Sequence, residues 1–178
     1  MLNRLNGDKR LKEVKLDNHG LPSEAAVEAR MRPGGFSRAG FLGPNEKLRE
    51  VTAADAETLR NLNLTYADIA SRLDALIAAA EASPAHQARL GPLQCEVRVH
   101  QGFQICPWAP DPHQAQCSAG QGVRHGSVDW RVTNLTTGEE MKGPGLIVHL
   151  IRDHHFFEGP LSPNRVDPFQ LAHLLGFF

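Results

Sequence analysis

The spacing of apolar positions changes once, decisively, along this chain. Between residues 45 and 82 it is helical: Leu48, Val51, Leu59 and Leu62 recur at helical spacing. After an interruption at Asn63-Leu64, the stripe resumes through Ile69, Leu73, Leu76, Ile77 and Ala80. Thr65, with Asp68 three residues on, has the pattern of a capping box and predicts the start of the second helix. So short a connection predicts an αα-hairpin over residues 45–84. From residue 92 the period becomes two. Cys95, Val97 and Val99 alternate with Glu96, Arg98 and His100; Phe103 and Ile105 continue up to Cys106; Val128, Trp130 and Val132 alternate with Asp129 and Arg131. Thr137-Gly138 supplies a turn. Two or three antiparallel strands are therefore expected, and "EASPAHQARLGPL" (81–93) reads as the linker before them.

Residues 1–44 carry weak periodicity and many breakers, among them Asn6-Gly7, Pro33-Gly34-Gly35 and Gly43-Pro44. One short helix is expected from an N-cap at Ser23 to Met31. The rest reads as an extended arm anchored by Phe36, Phe41 and Leu42. At the other end, "GLIVHLIRDHHFFEGP" (145–160) reads as a helix of about three turns. Three prolines in "EGPLSPNRVDP" forbid helix next. A last helix then opens at Pro168 with Asp167 as N-cap, turning Phe169, Leu171, Leu174 and Leu175 inward. The expected class is α+β: an arm (1–44), a helical hairpin (45–84) and a C-terminal unit (92–178) that joins a small antiparallel sheet to a His-bearing helix. That unit could form one compact body with the hairpin.

Charge and composition narrow the function classes. With 19 basic and 20 acidic residues the net charge is −1, so bulk attraction for nucleic acid is absent. "RLNGDKRLKEVK" is the one dense basic stretch, and Asp8 and Glu13 dilute it. "LTYADIASRLDAL" resembles the first helix of a helix-turn-helix, but no glycine turn and second helix follow. The longest uncharged apolar run, Gly145 to Ile151, is too short to span a bilayer, and no secretory h-region is visible. The expected compartment is the cytoplasm, and the expected partner is a protein.

The candidate chemistry lies in the last third. The chain has three cysteines, Cys95, Cys106 and Cys117, an odd number that argues against a disulfide framework. Cys106 and Cys117 form C-x10-C, and His149 and His154 form H-x4-H on the predicted helix. Two thiolates and two imidazoles are the donor set that zinc prefers in closed structural sites. Five residues of helix rotate by roughly 140°, so both rings reach one ion only if the last turn loosens. His113, His125 and His155 are the alternative ligands. Asp153, four residues after His149, would hold that ring in one tautomer, or would pair with Arg152 or Arg165. Cys95 on a strand reads as a small core residue. The histidines also have bland roles open to them, as core hydrogen-bonded residues or helix-end cations.

Over residues 106–155, β-borne cysteines followed by helix-borne histidines resemble the Cys2His2 zinc-finger plan and, in "CPW…C…HLIRDHHFFEG…RVDP", uncharacterised small bacterial proteins. The departures are a ten-residue cysteine gap, where a finger has two to four, and a longer cysteine-to-histidine span. The resemblance implies a zinc-stabilised binding or adaptor module. The alternative is a hydrolase that uses the metal, or a thiolate of the Cys/His cluster. Hydrolase, phosphate-loop and dinucleotide fingerprints are all missing, so catalysis is left open.

Overall fold

The computed structural model describes residues 22–110, 117 and 119–178. In chain order its elements are α1 (Glu24–Met31), α2 (Leu48–Asn61), α3 (Tyr66–Ala82), β1 (Gln87–Leu90), β2 (Leu93–Val99), β3 (Val128–Asn134), β4 (Glu140–Pro144), α4 (Leu146–His154) and α5 (Pro168–Leu174). The four strands form one antiparallel sheet in the order β1-β2-β3-β4. This is the α+β class, with the sheet C-terminal to the helical pair.

Local signals set several boundaries. Ser23 caps α1 by accepting from the Ala26 N–H at 3.2 Å. The capping box at Thr65 and Asp68 forms in full and starts α3. Asp167 accepts from Gln170 N–H, with Pro168 in the first turn of α5. The β3–β4 turn closes around Asn134. Its carbonyl accepts from Gly138, whose φ of +77° suits glycine. Its amide reaches the Leu174 carbonyl of α5 at 3.1 Å.

Period two along the strands builds the core. Leu93, Cys95 and Val97 of β2 and Val128, Trp130 and Val132 of β3 are buried, with Cys95 opposite Val132 and Val97 opposite Trp130. α3 covers this face with Ile69, Ala70, Leu73, Leu76, Ile77 and Ala80, all buried, and packs against α4 as well. Burying six such side chains contributes on the order of 10 kcal/mol by area. α2 packs against α5. The other face of the sheet presents Glu96, Arg98, Asp129, Arg131 and Lys142 to water. Among the described residues, no helix is long and apolar enough to cross a membrane.

Three expectations from the sequence need correction. The supposed linker holds β1, an edge strand whose mostly exposed side chains leave no alternation to read. Phe103 to Cys106 is not strand: Phe103 is half exposed, and its ring occupies the space a side chain at Gly126 would fill. Phe169 faces outward and meets Phe178, ring centroids 5.2 Å apart, instead of entering the core. Of the three expected anchors, Phe41 and Leu42 are buried and Phe36 is half buried. The basic stretch at residues 4–15 lies outside the described residues.

Candidate metal centre

α4 supplies two of the four donors. Gly145 precedes it, and a Cβ there would lie 2.1 Å from the His125 carbonyl oxygen, so only glycine lets the chain turn from β4 into the helix. Gln104 Oε1 accepts from the Leu146 N–H at 3.1 Å and so satisfies one orphan donor of the first turn. Leu146 to Ile151 are all buried, His149 included. The helix ends in a left-handed residue, His155 at φ +55°, and Phe156 N–H closes back on the Leu150 carbonyl at 3.0 Å. This end turn separates the two adjacent histidines. His155 swings out and stacks on Tyr66, centroids 4.0 Å apart. His154 turns in and stacks on Trp108, centroids 4.1 Å apart and planes within 5°.

The other two donors come from the loop between β2 and β3. Cys106, Pro107, Trp108 and Ala109 form a tight turn, closed by Ala109 N–H to the Cys106 carbonyl at 2.9 Å. The backbone N–H groups of Trp108 and Ala109 face the Cys106 sulfur, and that of Ala119 faces the Cys117 sulfur. Donors aimed at sulfur favour the thiolate form. Cys106 and Cys117 are buried.

The four ligand atoms all lie within 4.8 Å of one another. His154 Nε2 is 3.4 Å from Cys106 Sγ, 3.4 Å from Cys117 Sγ and 3.2 Å from His149 Nε2. Zinc bonds at tetrahedral angles imply separations of roughly 3.3 Å for an N–N pair and roughly 3.5 Å for an N–S pair. The three spacings from His154 Nε2 match those edges. Two imidazole nitrogens face to face at this distance, with two sulfurs beside them, form a donor cage that one cation would satisfy. The H-x4-H rings reach one point because His154 sits in the final turn.

Surrounding groups fix the ligands. Asp153 Oδ2 accepts from Nδ1–H of His149 at 2.6 Å, which leaves the Nε2 lone pair pointing at the cluster. Arg152 holds Asp153 from the other side at 2.9 Å and donates to the Gly122 carbonyl, also at 2.9 Å. Burial pushes the Asp153 carboxyl up, but hydrogen bonds and charge from Arg152 and His149 outweigh it and hold it below the ordinary range. Asp153 also presses on Gly120, where a Cβ would come within 1.9 Å of its Oδ1. The loop that delivers Cys117 is thus seated on α4. Between the sulfurs, burial pushes the Cys106 thiol up, and the adjacent Cys117 adds to that push. The hydrogen bond from Cys106, with those of His149 and His154, draws Cys117 down.

The other candidates lie elsewhere. His125 is buried between two carboxylates, Nδ1 to Glu81 at 2.6 Å and Nε2 to Asp74 at 3.0 Å, so neither ring nitrogen is free for an ion. Cys95 is in the sheet core, its thiol pushed up to about 12 by burial. Arg165 pairs with Asp55 and not with Asp153. His113 lies outside the described residues. The sequence reading missed Trp108 and Arg30. A proline directly after Cys106 was the available hint of a knuckle. Arg30 had no local signal, because its partners are 77 and 79 residues away.

Comparisons with family models, with curated proteins and with solved structures found no match to this chain.

Proposed function

We propose that Cys106, Cys117, His149 and His154 hold one zinc ion in a closed structural site, and that the chain is a zinc-stabilised, non-catalytic module that binds a protein partner. The observation carrying this reading is the completeness of the donor set. Four N and S atoms lie within 4.8 Å of one another, three of their residues are buried and the fourth is half buried. A catalytic zinc keeps one position for water, and four protein donors leave none. When bound, the ion would tie the β2–β3 loop to α4. Apparent binding energies of structural zinc are on the order of 10 kcal/mol, which adds directly to folding.

A protein partner suits the charge distribution. The net charge is −1, and the open face of the sheet carries both signs side by side, so no single-sign field steers a polyanion. Elemental analysis of the purified protein, with thermal melts before and after a chelator, tests the reading. One zinc per chain and a large loss of melting temperature on chelation are expected. Zinc that can be removed without effect on folding, leaving an exchangeable water in its shell, would favour the hydrolase instead. Protein that takes up no metal would end the zinc reading and leave only the thiolate form of the hydrolase.

A further inference from the structure

Arg30 is an unusual residue for a buried position. It is 5% exposed, and no carboxylate among the described residues pairs with it. Its Nη1 donates to the Pro107 and Ala109 carbonyls, each at 2.7 Å, while its Nε has no partner. The guanidinium lies 4.7 Å above the Phe36 ring. A cation taken out of water without a counter-ion is strongly unfavourable unless something nearby is negative. The groups it does meet are the Pro107 and Ala109 carbonyls, which belong to the turn that carries Cys106, one of the four proposed ligands.

The two carbonyls that Arg30 holds belong to the turn around that sulfur. The Pro107 carbonyl and the Trp108 N–H are opposite ends of one trans peptide, so they point in opposite directions. Fixing the oxygen on Arg30 aims the N–H at Cys106 Sγ. A hydrogen bond at one end of a peptide also polarises the other and strengthens its donation. Arg30 therefore acts on the cysteine turn through the two carbonyls it holds.

Arg30 also belongs to the segment before the hairpin. Its own carbonyl accepts from Phe36 N–H at 2.9 Å, and the Met31 carbonyl accepts from Phe41 and Leu42. Val27 and Met31 of the same helix are fully buried. The segment is thus joined to the cysteine turn through the Arg30 side chain.

We propose that Arg30 is a positioning residue of the metal centre and that it couples zinc loading to the docking of residues 22–44. This rests on the zinc reading above. A bound metal would fix the turn at Cys106, that turn holds the Arg30 side chain by two carbonyls, and the Arg30 and Met31 carbonyls hold the turns after α1. By linkage the coupling runs both ways: whatever pulls the segment off weakens the metal, and whatever removes the metal loosens the segment.

The test uses the full-length chain, with zinc affinity read by competition against a chromophoric chelator and ligand geometry read from the cobalt(II) spectrum. Arg30→Met should bind zinc 10- to 100-fold more weakly, the usual effect of losing a group that orients a ligand. Arg30→Lys, which keeps the charge, should recover part of that loss. Val27→Ala, which thins the same helix contact without touching the turn, should lower the melting temperature and weaken zinc binding less than Arg30→Met does. Amide exchange of the unmodified protein gives a readout that needs no variant: zinc should slow exchange at Phe36, Phe41 and Leu42. Equal zinc affinity in Arg30→Met, or exchange at those amides indifferent to zinc, overturns the coupling while the metal site stands. Failure of the unmodified chain to bind zinc overturns both.

Discussion

Asp153 Oδ2 sits 2.6 Å from Nδ1 of His149, one helical turn earlier on α4, with both side chains buried. The pair fixes which imidazole nitrogen carries hydrogen and which faces the cysteines. Arg152 holds the carboxylate in place, so flipping the ring would break its charge-assisted contact with Asp153.

Asp153→Asn should therefore keep the fold and weaken zinc binding by roughly 10- to 100-fold, because the amide is a poorer acceptor for Nδ1–H and offers no charge. Chelator competition measures it. Affinity unchanged from the native chain would show that His149 is oriented by packing alone.

The cysteines separate cleanly. Cys106→Ser should lose the metal and several kcal/mol of stability, since metal-binding energy is folding energy. Cys95→Ser should keep one metal per chain and lose about 1–3 kcal/mol, the cost of a buried hydroxyl in the sheet core. Metal content by elemental analysis, beside denaturant melts, distinguishes the two. Retention of metal by Cys106→Ser would remove that residue from the site.

Two glycines with positive φ should respond differently to alanine. At Gly138 a Cβ meets nothing within 4 Å, so Gly138→Ala should cost only the left-handed penalty, about 1 kcal/mol. At Gly120 it would strike the Asp153 carboxylate, so Gly120→Ala should cost more and also weaken metal binding by shifting the loop to Cys117. Chemical denaturation with zinc titration checks both. Equal effects at the two sites would contradict the seating of that loop on Asp153.

Glu158 gives the pH dependence. It is 1% exposed, and Ser162 Oγ–H donates to its carboxylate. Burial pushes its pKa up from 4.5 to about 7, against the pull of Ser162 and Arg165. The folded chain thus holds this proton more tightly than the unfolded one. The resulting stability is fully present below pH 4.5 and is lost as pH rises to about 7, by about 3 kcal/mol at most. Relative to the native chain, Glu158→Gln should gain stability between pH 5 and pH 8. Parallel stability–pH curves for the two proteins would refute this.

How far the sequence could be read follows from the range of each interaction. Helix starts at Ser23, Thr65 and Asp167 were legible because a cap and its partner lie three residues apart. The inward face of β2 and β3 was legible because burial imposes period two. β1 was hidden because an exposed edge strand needs no apolar alternation. At the site, residue chemistry alone singled out Cys106, Cys117, His149 and His154, which the fold brings together. The choice between His154 and His155 depends on the left-handed turn at His155, a backbone feature with no glycine to announce it. Arg30 was beyond reach, since only the folded chain brings α1 to the cysteine turn.

Cobalt(II) titration of the metal-free, full-length protein, followed by displacement with zinc, tests the central claim most directly. The account predicts one equivalent bound, ligand-field bands of tetrahedral intensity, sulfur-to-cobalt charge transfer from two thiolates, and loss of all of these on zinc addition. A weak octahedral spectrum without charge transfer, or no saturable binding, would contradict it.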